Sequence, residues 1–230
     1  MKALILAAGR GERMRPLTDH APKPLLLAQG KPMIEWHLVG LARGGVREVV
    51  INTAWLEDRF PAALGDGARW GLRIHYSMEG RDHGGALDIG GGVAKALPLL
   101  GDAFWVVSGD IFAPDFAFDP AIAADFAGSD RLAHLWLVPN PPFHPQGDFG
   151  IDAAGFALRD TPQRMTWASL GLYRAALFDG IAPGTVAPLL PQLLQGMAQR
   201  RVTAQAYTGR WDNVGTPAQL AALNASPAAS

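Results

Sequence analysis

Met1-Lys-Ala-Leu-Ile-Leu-Ala-Ala-Gly-Arg-Gly-Glu-Arg-Met-Arg-Pro16 opens the chain, and its reading decides the fold. Leu4, Ile5 and Leu6 form the short continuous apolar run of a strand buried on both faces. Ala7, Ala8, Gly9 and Gly11 follow, interrupted only by Arg10, so little side chain separates the backbone from a ligand. Glu12, Arg13 and Arg15 come next. Strand, glycine-rich turn and basic edge together suit a polyphosphate, with backbone N–H groups lining a cradle and an arginine adding a fixed cationic fork. Two familiar patterns are excluded. A Rossmann fingerprint wants a third glycine near position 14, which is Met14, and a P-loop wants Gly-Lys-Ser/Thr after a four-residue gap. A Gly-X-Gly alone is equally an ordinary strand-to-helix turn, so the assignment rests on what surrounds it.

The remaining chain narrows the class. The sequence has 230 residues, 49% hydrophobic and 18% charged, which suits one globular domain with a substantial core. The net charge of −1 provides no global field for nucleic acid or a membrane, so attraction for an anion must be local. The absence of cysteine excludes disulfides, thiolate metal sites and cysteine nucleophiles. The N-terminus enters a strand without a signal peptide, and no apolar run approaches the ~18 residues of a membrane helix. A cytoplasmic enzyme is expected.

Alternating elements follow the opening strand. A helix is expected over residues 32–43, with Pro32 in its first turn and Gly44-Gly45 at its end. Strands are expected at 48–52 and 72–77, with a helix between them over 55–64. This is the βαβ rhythm of a parallel sheet covered on both faces. Six glycines in residues 79–92 argue against helix or strand there, so a loop is expected, with a helix starting at Val93. Residues 104–110 form a central strand ending in Ser108-Gly109-Asp110, at the sheet edge where open α/β folds bind ligands. A carboxylate there suits magnesium, which prefers hard oxygen ligands; the plainer reading is a turn aspartate capping an N–H group. Lys23 stands between Pro22 and Pro24, whose stiff, extended backbone is expected to project it at a fixed place. A helix over 114–130, strands at 132–139, 156–159, 165–173 and 202–207, and a helix in the later part of 186–199 complete the pattern. The domain is expected to span 1–223, with 224–230 a frayed tail.

Two motifs together carry a resemblance. LAAGRGERMRPLT (6–18), followed by PKPLL (22–26), resembles the signature of the sugar-1-phosphate nucleotidylyltransferases. The likeness continues through Gly109-Asp110 to a closing Trp211-Asp-Asn-Val-Gly-Thr-Pro217, and covers nearly the whole chain. It implies a Rossmann-like three-layer α/β/α fold with a mostly parallel mixed central sheet. It implies that a sugar 1-phosphate oxygen attacks the α-phosphorus of a nucleoside triphosphate and displaces pyrophosphate. The nucleophile is already an anion, so alignment and charge neutralisation suffice. By the same resemblance Arg13, Lys23 and Asp110 are catalytic. Leu6, Ala7, Ala8, Gly9, Gly11, Glu12, Arg13, Lys23, Glu79, Ala86 and Leu87 hold the nucleotide, and Ser108, Asp148 and Gly171 face the sugar. Asp110 and Asn213 bind Mg2+.

Three departures qualify the match. Ile89 stands where the family commonly has Thr. Residues 159–164 lack a Glu-Lys pair found in larger members. Asn213 stands where the second metal-binding Asp is usual, with Asp212 one place earlier; a neutral amide ligand is the preferred reading, because a one-residue shift on a strand turns the side chain to the other face. Residues 147–150 (Gly-Asp-Phe-Gly), the run 96–102 and the short length most resemble uridylyltransferases acting on N-acetylmuramate 1-phosphate in peptidoglycan recycling. UTP and that sugar are the expected substrates. The alternatives are glucose or mannose 1-phosphate with TTP, GTP or CTP, and a nucleotide-sugar-binding regulator without turnover. The sequence does not distinguish monomer from homo-oligomer.

Overall fold

The computed structural model describes residues 1–227. Seven strands build its framework: β1 (Lys2–Leu6), β4 (Glu48–Thr53), β5 (Arg73–Met78), β6 (Ala103–Ser108), β8 (Ala133–Val138), β11 (Thr166–Arg174) and β12 (Val202–Ala206). They form one sheet in the order β12-β8-β11-β6-β1-β4-β5. Neighbours run parallel except at β11, which is antiparallel to both β6 and β8. Small antiparallel ribbons pair β2 (Leu27–Ala28) with β3 (Lys31–Pro32), β7 (Ile111–Phe112) with β13 (Asp212–Asn213), and β9 (Gly150–Ile151) with β10 (Ala157–Leu158).

Alternation along the central strands divides the core between the two faces. Ala3, Ile5, Val49, Ile51, Trp105 and Val107 face one way, and meet α1 (Met33–Arg43), α2 (Arg59–Leu64) and α5 (Pro120–Ala127) through Leu38, Phe60 and Phe126. Leu4, Val50, Phe104 and Val106 face the other, toward α4 (Asp88–Ala96) and α6 (Leu190–Ala198). The three-layer architecture expected from the sequence is the one found.

Several elements differ from their expected limits. Pro22 is extended, but Lys23–Leu25 closes into a 3-10 turn, which tucks the lysine inward instead of projecting it. Pro32 caps α1 from outside its first turn. α2 starts at Arg59, not Trp55, whose indole instead donates to the Thr18 carbonyl at 2.9 Å under the stacked Arg10 guanidinium. α5 is shorter than 114–130, since Phe116 and Phe118 reach the core from the segment before it and Asp119 caps Ala121 N–H.

The largest difference lies in residues 79–92. Glu79–His83 forms a short helix, α3, and α4 begins at Asp88, so the triple glycine is helical. Its three residues pack where no side chain fits. A Cβ on Gly90 would come within 2.8 Å of the Ala187 and Pro188 carbonyls, and one on Gly92 within 2.6 Å of Glu79 Oε1. Tertiary packing here overrides the poor helix propensity of glycine. Residues 224–227 of the expected tail are held by hydrogen bonds. Helix α7 (Pro217–Ala225) continues past Leu223, Gln29 N–H donates to Asn224 at 2.7 Å, and Arg210 donates to Ser226 at 2.6 Å. Residues 228–230 of that expected tail lie outside the described residues.

Candidate active site

β1 leads directly into a cradle of residues 7–11. The chain runs outward from β1 through β4 to β5 and then returns to β6 on the other side. The carboxyl ends of β1 and β6 therefore mark the topological switch point, the usual crevice for a ligand. A cavity of about 450 Å³ opens there. Leu6, Ala7, Ala8, Gly9, Gly11, Glu12 and Arg13 line it, Lys23, Ser108 and Asp110 adjoin them, with Ser108 paired to Leu6 and Lys23 packed beside Gly11, and Ala86 and Ile89 form a further wall.

The cradle is braced from outside. Gly11 is left-handed (φ 66°), and Thr18 donates to its carbonyl at 2.8 Å. Arg10 donates to the Thr18 carbonyl and stacks on Trp55, while Arg15 pairs with Asp19 at 2.8 Å. Two of the three arginines of the opening stretch thus serve the fold. Arg13, exposed and lining the cavity, makes no ion pair among the described residues, which leaves its guanidinium available for an anion.

Beside the cradle, Lys23 Nζ lies 2.7 Å from Asp110 Oδ2. The lysine side chain is 8% exposed and the aspartate 35%, so the pair forms a floor open on the carboxylate side. Ser108 donates to the other carboxylate oxygen at 2.7 Å. Burial pushes the Asp110 carboxyl up, but the Lys23 ammonium and the hydrogen bonds from Lys23 and Ser108 outweigh it and hold it below the ordinary carboxylate value. Asp110 is therefore an anion over the working pH range, with lone pairs to spare on both oxygens. Behind it, the imidazole of His37 is bonded at 2.9 Å to the Ile111 carbonyl. Burial drives its pKa down to about 4, so it is a neutral structural prop, as its apolar setting in the sequence suggests.

Asn213 stands on β13 opposite Ile111, and Val214 N–H bonds to the Asp110 carbonyl at 3.3 Å, so the Asp110 and Asn213 segments are adjacent. The Asn213 side chain has no hydrogen bond among the described residues. Asp212 pairs with Phe112 in the ribbon, is 51% exposed and lies 4.0 Å from Arg210. Among the described residues no cluster of three or more His, Asp or Glu side chains forms a metal cage. The ionised Asp110 carboxylate and the unpartnered Asn213 amide are hard oxygen donors of the kind Mg2+ takes together with water and phosphate, on adjacent backbone segments, although Asp110 lines the first cavity and Asn213 another. A second cavity, of about 830 Å³, lies on the other side of this segment, lined in part by Phe143, Arg210, Trp211 and Asn213.

Four residues expected at the ligand lie elsewhere. Glu79 is fully buried, with its carboxylate bonded to Asn52 and to Leu87 N–H, so it stands behind the wall. Leu87 is 2% exposed and packs inward. Gly171 lies mid-sheet between Val106 and Leu135, where a Cβ would meet the Tyr173 ring. Asp148 lines neither cavity; it accepts from Trp167 N–H at 2.8 Å and lies 3.1 Å from His144, closing the loop onto β11. Conversely, Asn52, Asp88 and Gly215 line the first cavity without having been singled out. Asn52 had a readable signal: an amide ending a buried apolar strand needs partners.

Comparisons with known proteins agree with this geometry. The nucleotidyl transferase family model matches residues 2–154. An N-acetylmuramate alpha-1-phosphate uridylyltransferase of Neisseria meningitidis serogroup B is 48% identical over 224 residues, covering 96% of this chain and 95% of the relative. A protein of the same name from Caulobacter vibrioides is 32% identical, covering 96% and 94%. Among solved structures, a Bacillus anthracis protein assigned as a glucose-1-phosphate thymidylyltransferase, in complex with sucrose, superposes with a TM-score of 0.84 at 21% identity, over 98% of this chain and 94% of that one, which shows the shared fold. The chain belongs to the nucleotidyl transferase family, among its enzymes acting on sugar 1-phosphates.

Proposed function

We propose that the protein transfers a uridylyl group from UTP to N-acetylmuramate 1-phosphate, releasing pyrophosphate, in the cytoplasmic recycling of cell-wall sugars. The observation that carries the reading is the Lys23–Asp110 pair, sharing one cavity with a glycine cradle edged by Arg13, which has no ion-pair partner among the described residues. The Neisseria relative's name supplies the substrates. No helix among the described residues is long and apolar enough to cross a membrane.

In this reading the backbone of residues 7–11 receives the triphosphate, and Arg13 pairs with the phosphate that departs. Lys23 turns its ammonium from Asp110 to the α-phosphate region, where negative charge grows as the sugar phosphate oxygen forms its bond and the α–β bridging bond breaks. Asp110 and Asn213 would hold Mg2+, which when bound supplies positive charge to the phosphate oxygens. Ser108 keeps the carboxylate oriented. The second cavity, beyond Asn213, receives the sugar.

The test is magnesium-dependent pyrophosphate release over four nucleoside triphosphates and several sugar 1-phosphates. Turnover confined to UTP and N-acetylmuramate 1-phosphate supports the proposal. Turnover with another pair discards the substrate, and nucleotide binding without turnover discards the activity.

A further inference from the structure

Asn52, which borders the cavity, and Glu79, which stands behind it, form a hydrogen-bonded bridge. Ala7 N–H, at the start of the cradle, donates to Asn52 Oδ1 at 2.8 Å. Asn52 Nδ2 donates to Glu79 Oε1 at 2.6 Å. Glu79 Oε2 accepts from Leu87 N–H at 2.8 Å, next to the Ala86 wall. Both side chains are buried, at 2% and 0% exposed. Gly92 is open to this bridge, since a Cβ there would stand 2.6 Å from Glu79 Oε1 and 2.7 Å from Asn52 Nδ2. Two backbone donors at the ends fix the polarity: the amide must present its oxygen to Ala7, and the group at position 79 must accept twice. The two donors reach different oxygens, so a carboxylate satisfies both, whereas a carboxamide would turn its NH2 toward one of them.

We propose that Asn52 and Glu79 are a positioning pair whose relay sets the spacing between the phosphate cradle and the Ala86 wall, and thereby sets affinity for the nucleoside triphosphate. The inference rests on the reading that this cavity holds UTP. Neither residue reaches the groups assigned to the transition state, so the effect falls on binding. Burial raises the Glu79 carboxyl above its ordinary value, and the two hydrogen bonds it accepts and the nearby Lys95 offset only part of that; the case for two acceptor oxygens rests on the two donors that face them.

Directionality gives a sharp experiment. In Glu79→Gln one donor must face another, either at Leu87, between the two amides or, if Asn52 flips, at Ala7. In Asn52→Asp two carboxylates face each other. The double variant carries both Asn52→Asp and Glu79→Gln. Its new carboxylate accepts from Ala7 N–H and from the new side-chain amide, whose oxygen accepts from Leu87 N–H, so every bond returns. UTP affinity by calorimetry, KM and kcat, and the melting temperature are measured for all four proteins. Each single variant is expected to weaken UTP binding and raise its KM by about tenfold or more, the scale of an unsatisfied buried donor, with kcat much less affected, while the double variant recovers most of the loss. Single variants with lower melting temperatures but wild-type UTP affinity would show an ordinary structural bond and overturn the proposal. A double variant as weak as the singles, or one that does not fold, overturns it too. If the single variants fail to fold, the double variant decides alone. Wild-type protein that binds no UTP removes the functional reading and this inference together, whereas wild-type binding unchanged in the variants refutes the inference alone.

Discussion

Replacing Asp110 with asparagine separates the electrostatic part of the site from its shape. The amide keeps nearly the same volume, its oxygen can still accept from Lys23, and the Ser108 hydroxyl can rotate to accept from its nitrogen. What disappears is a negative charge 2.7 Å from an ammonium that is 8% exposed. Removing one partner of a fully buried pair costs about 3–5 kcal/mol. Here a third of the aspartate side chain is open and both hydrogen bonds can persist, so solvent screening reduces the loss to roughly 1–2 kcal/mol. For a chain of this size that lowers the melting temperature by about 2–8 °C. The catalytic cost is larger, because the lost charge is both the proposed metal ligand and the group that orients Lys23. A fall in kcat of about a hundredfold or more is expected, the scale of losing one preorganised electrostatic group. The assay is pyrophosphate release at saturating UTP and sugar 1-phosphate over a magnesium titration, with a melting curve on the same preparation. A variant within about threefold of wild-type kcat would refute the role of Asp110 outright, since no smaller effect is compatible with that geometry. A folded variant with a large melting loss and normal turnover would recast the pair as purely structural.

Other perturbations read other parts of the site. Arg13→Ala, which breaks no ion pair among the described residues, should leave the melting temperature within about 1 °C while lowering kcat/KM for UTP about a hundredfold; unchanged kcat/KM would exclude Arg13 from the triphosphate. A Cβ on Gly9 would meet no heavy atom within 4 Å, so Gly9→Ala should fold normally. It should nonetheless raise the KM for UTP about tenfold if a phosphate lies against that backbone, and an unchanged KM would place the phosphate elsewhere. Finally, burial holds the pKa values of His37 and of His134, a buried residue of β8 bonded to Thr203 and Gln205, down to about 4. Their neutral forms are favoured in the folded state, so their contribution is complete above the unfolded value near 6.5 and is lost as pH falls from there toward 4. Each contributes on the order of 3 kcal/mol across that window. Melting temperatures should therefore drop steadily from about pH 6.5 to about 4.5, and a flat profile would contradict the buried neutral assignment.

The central sheet was legible because each strand is a local signal. Leu4 to Leu6 and Phe104 to Val107 are apolar runs that fit strands buried on both faces, and both are followed at once by residues that line the first cavity. The cradle was legible for the same reason: Ala7, Ala8, Gly9 and Gly11 are closely spaced small residues next to a basic edge. Residues 90–92 were not, because helix propensity counts the cost of glycine in isolation. The helix forms against the carbonyls of Ala187 and Pro188 and against Glu79, all distant or hidden in a one-dimensional reading. Lys23 was placed correctly in the chain but wrongly in space, since prolines at 22 and 24 restrict φ without choosing between an extended segment and a 3-10 turn.

Glu79 shows where this limit comes from. By the family resemblance this carboxylate was expected among the residues that hold the nucleotide. Its actual environment depends on Asn52, 27 residues earlier, which itself reaches back 45 residues to Ala7. Lys23 meets Asp110 across 87 residues. The surfaces that touch a ligand are assembled from short consecutive motifs, because a backbone cradle requires neighbouring N–H groups. The props that hold those surfaces apart must bridge different strands, and so come from single residues widely separated in the chain. A sequence pattern therefore reveals the cradle more readily than the buried polar groups fixing its width, and those groups become recognisable only when the directions of their hydrogen bonds are followed from one backbone donor to the next.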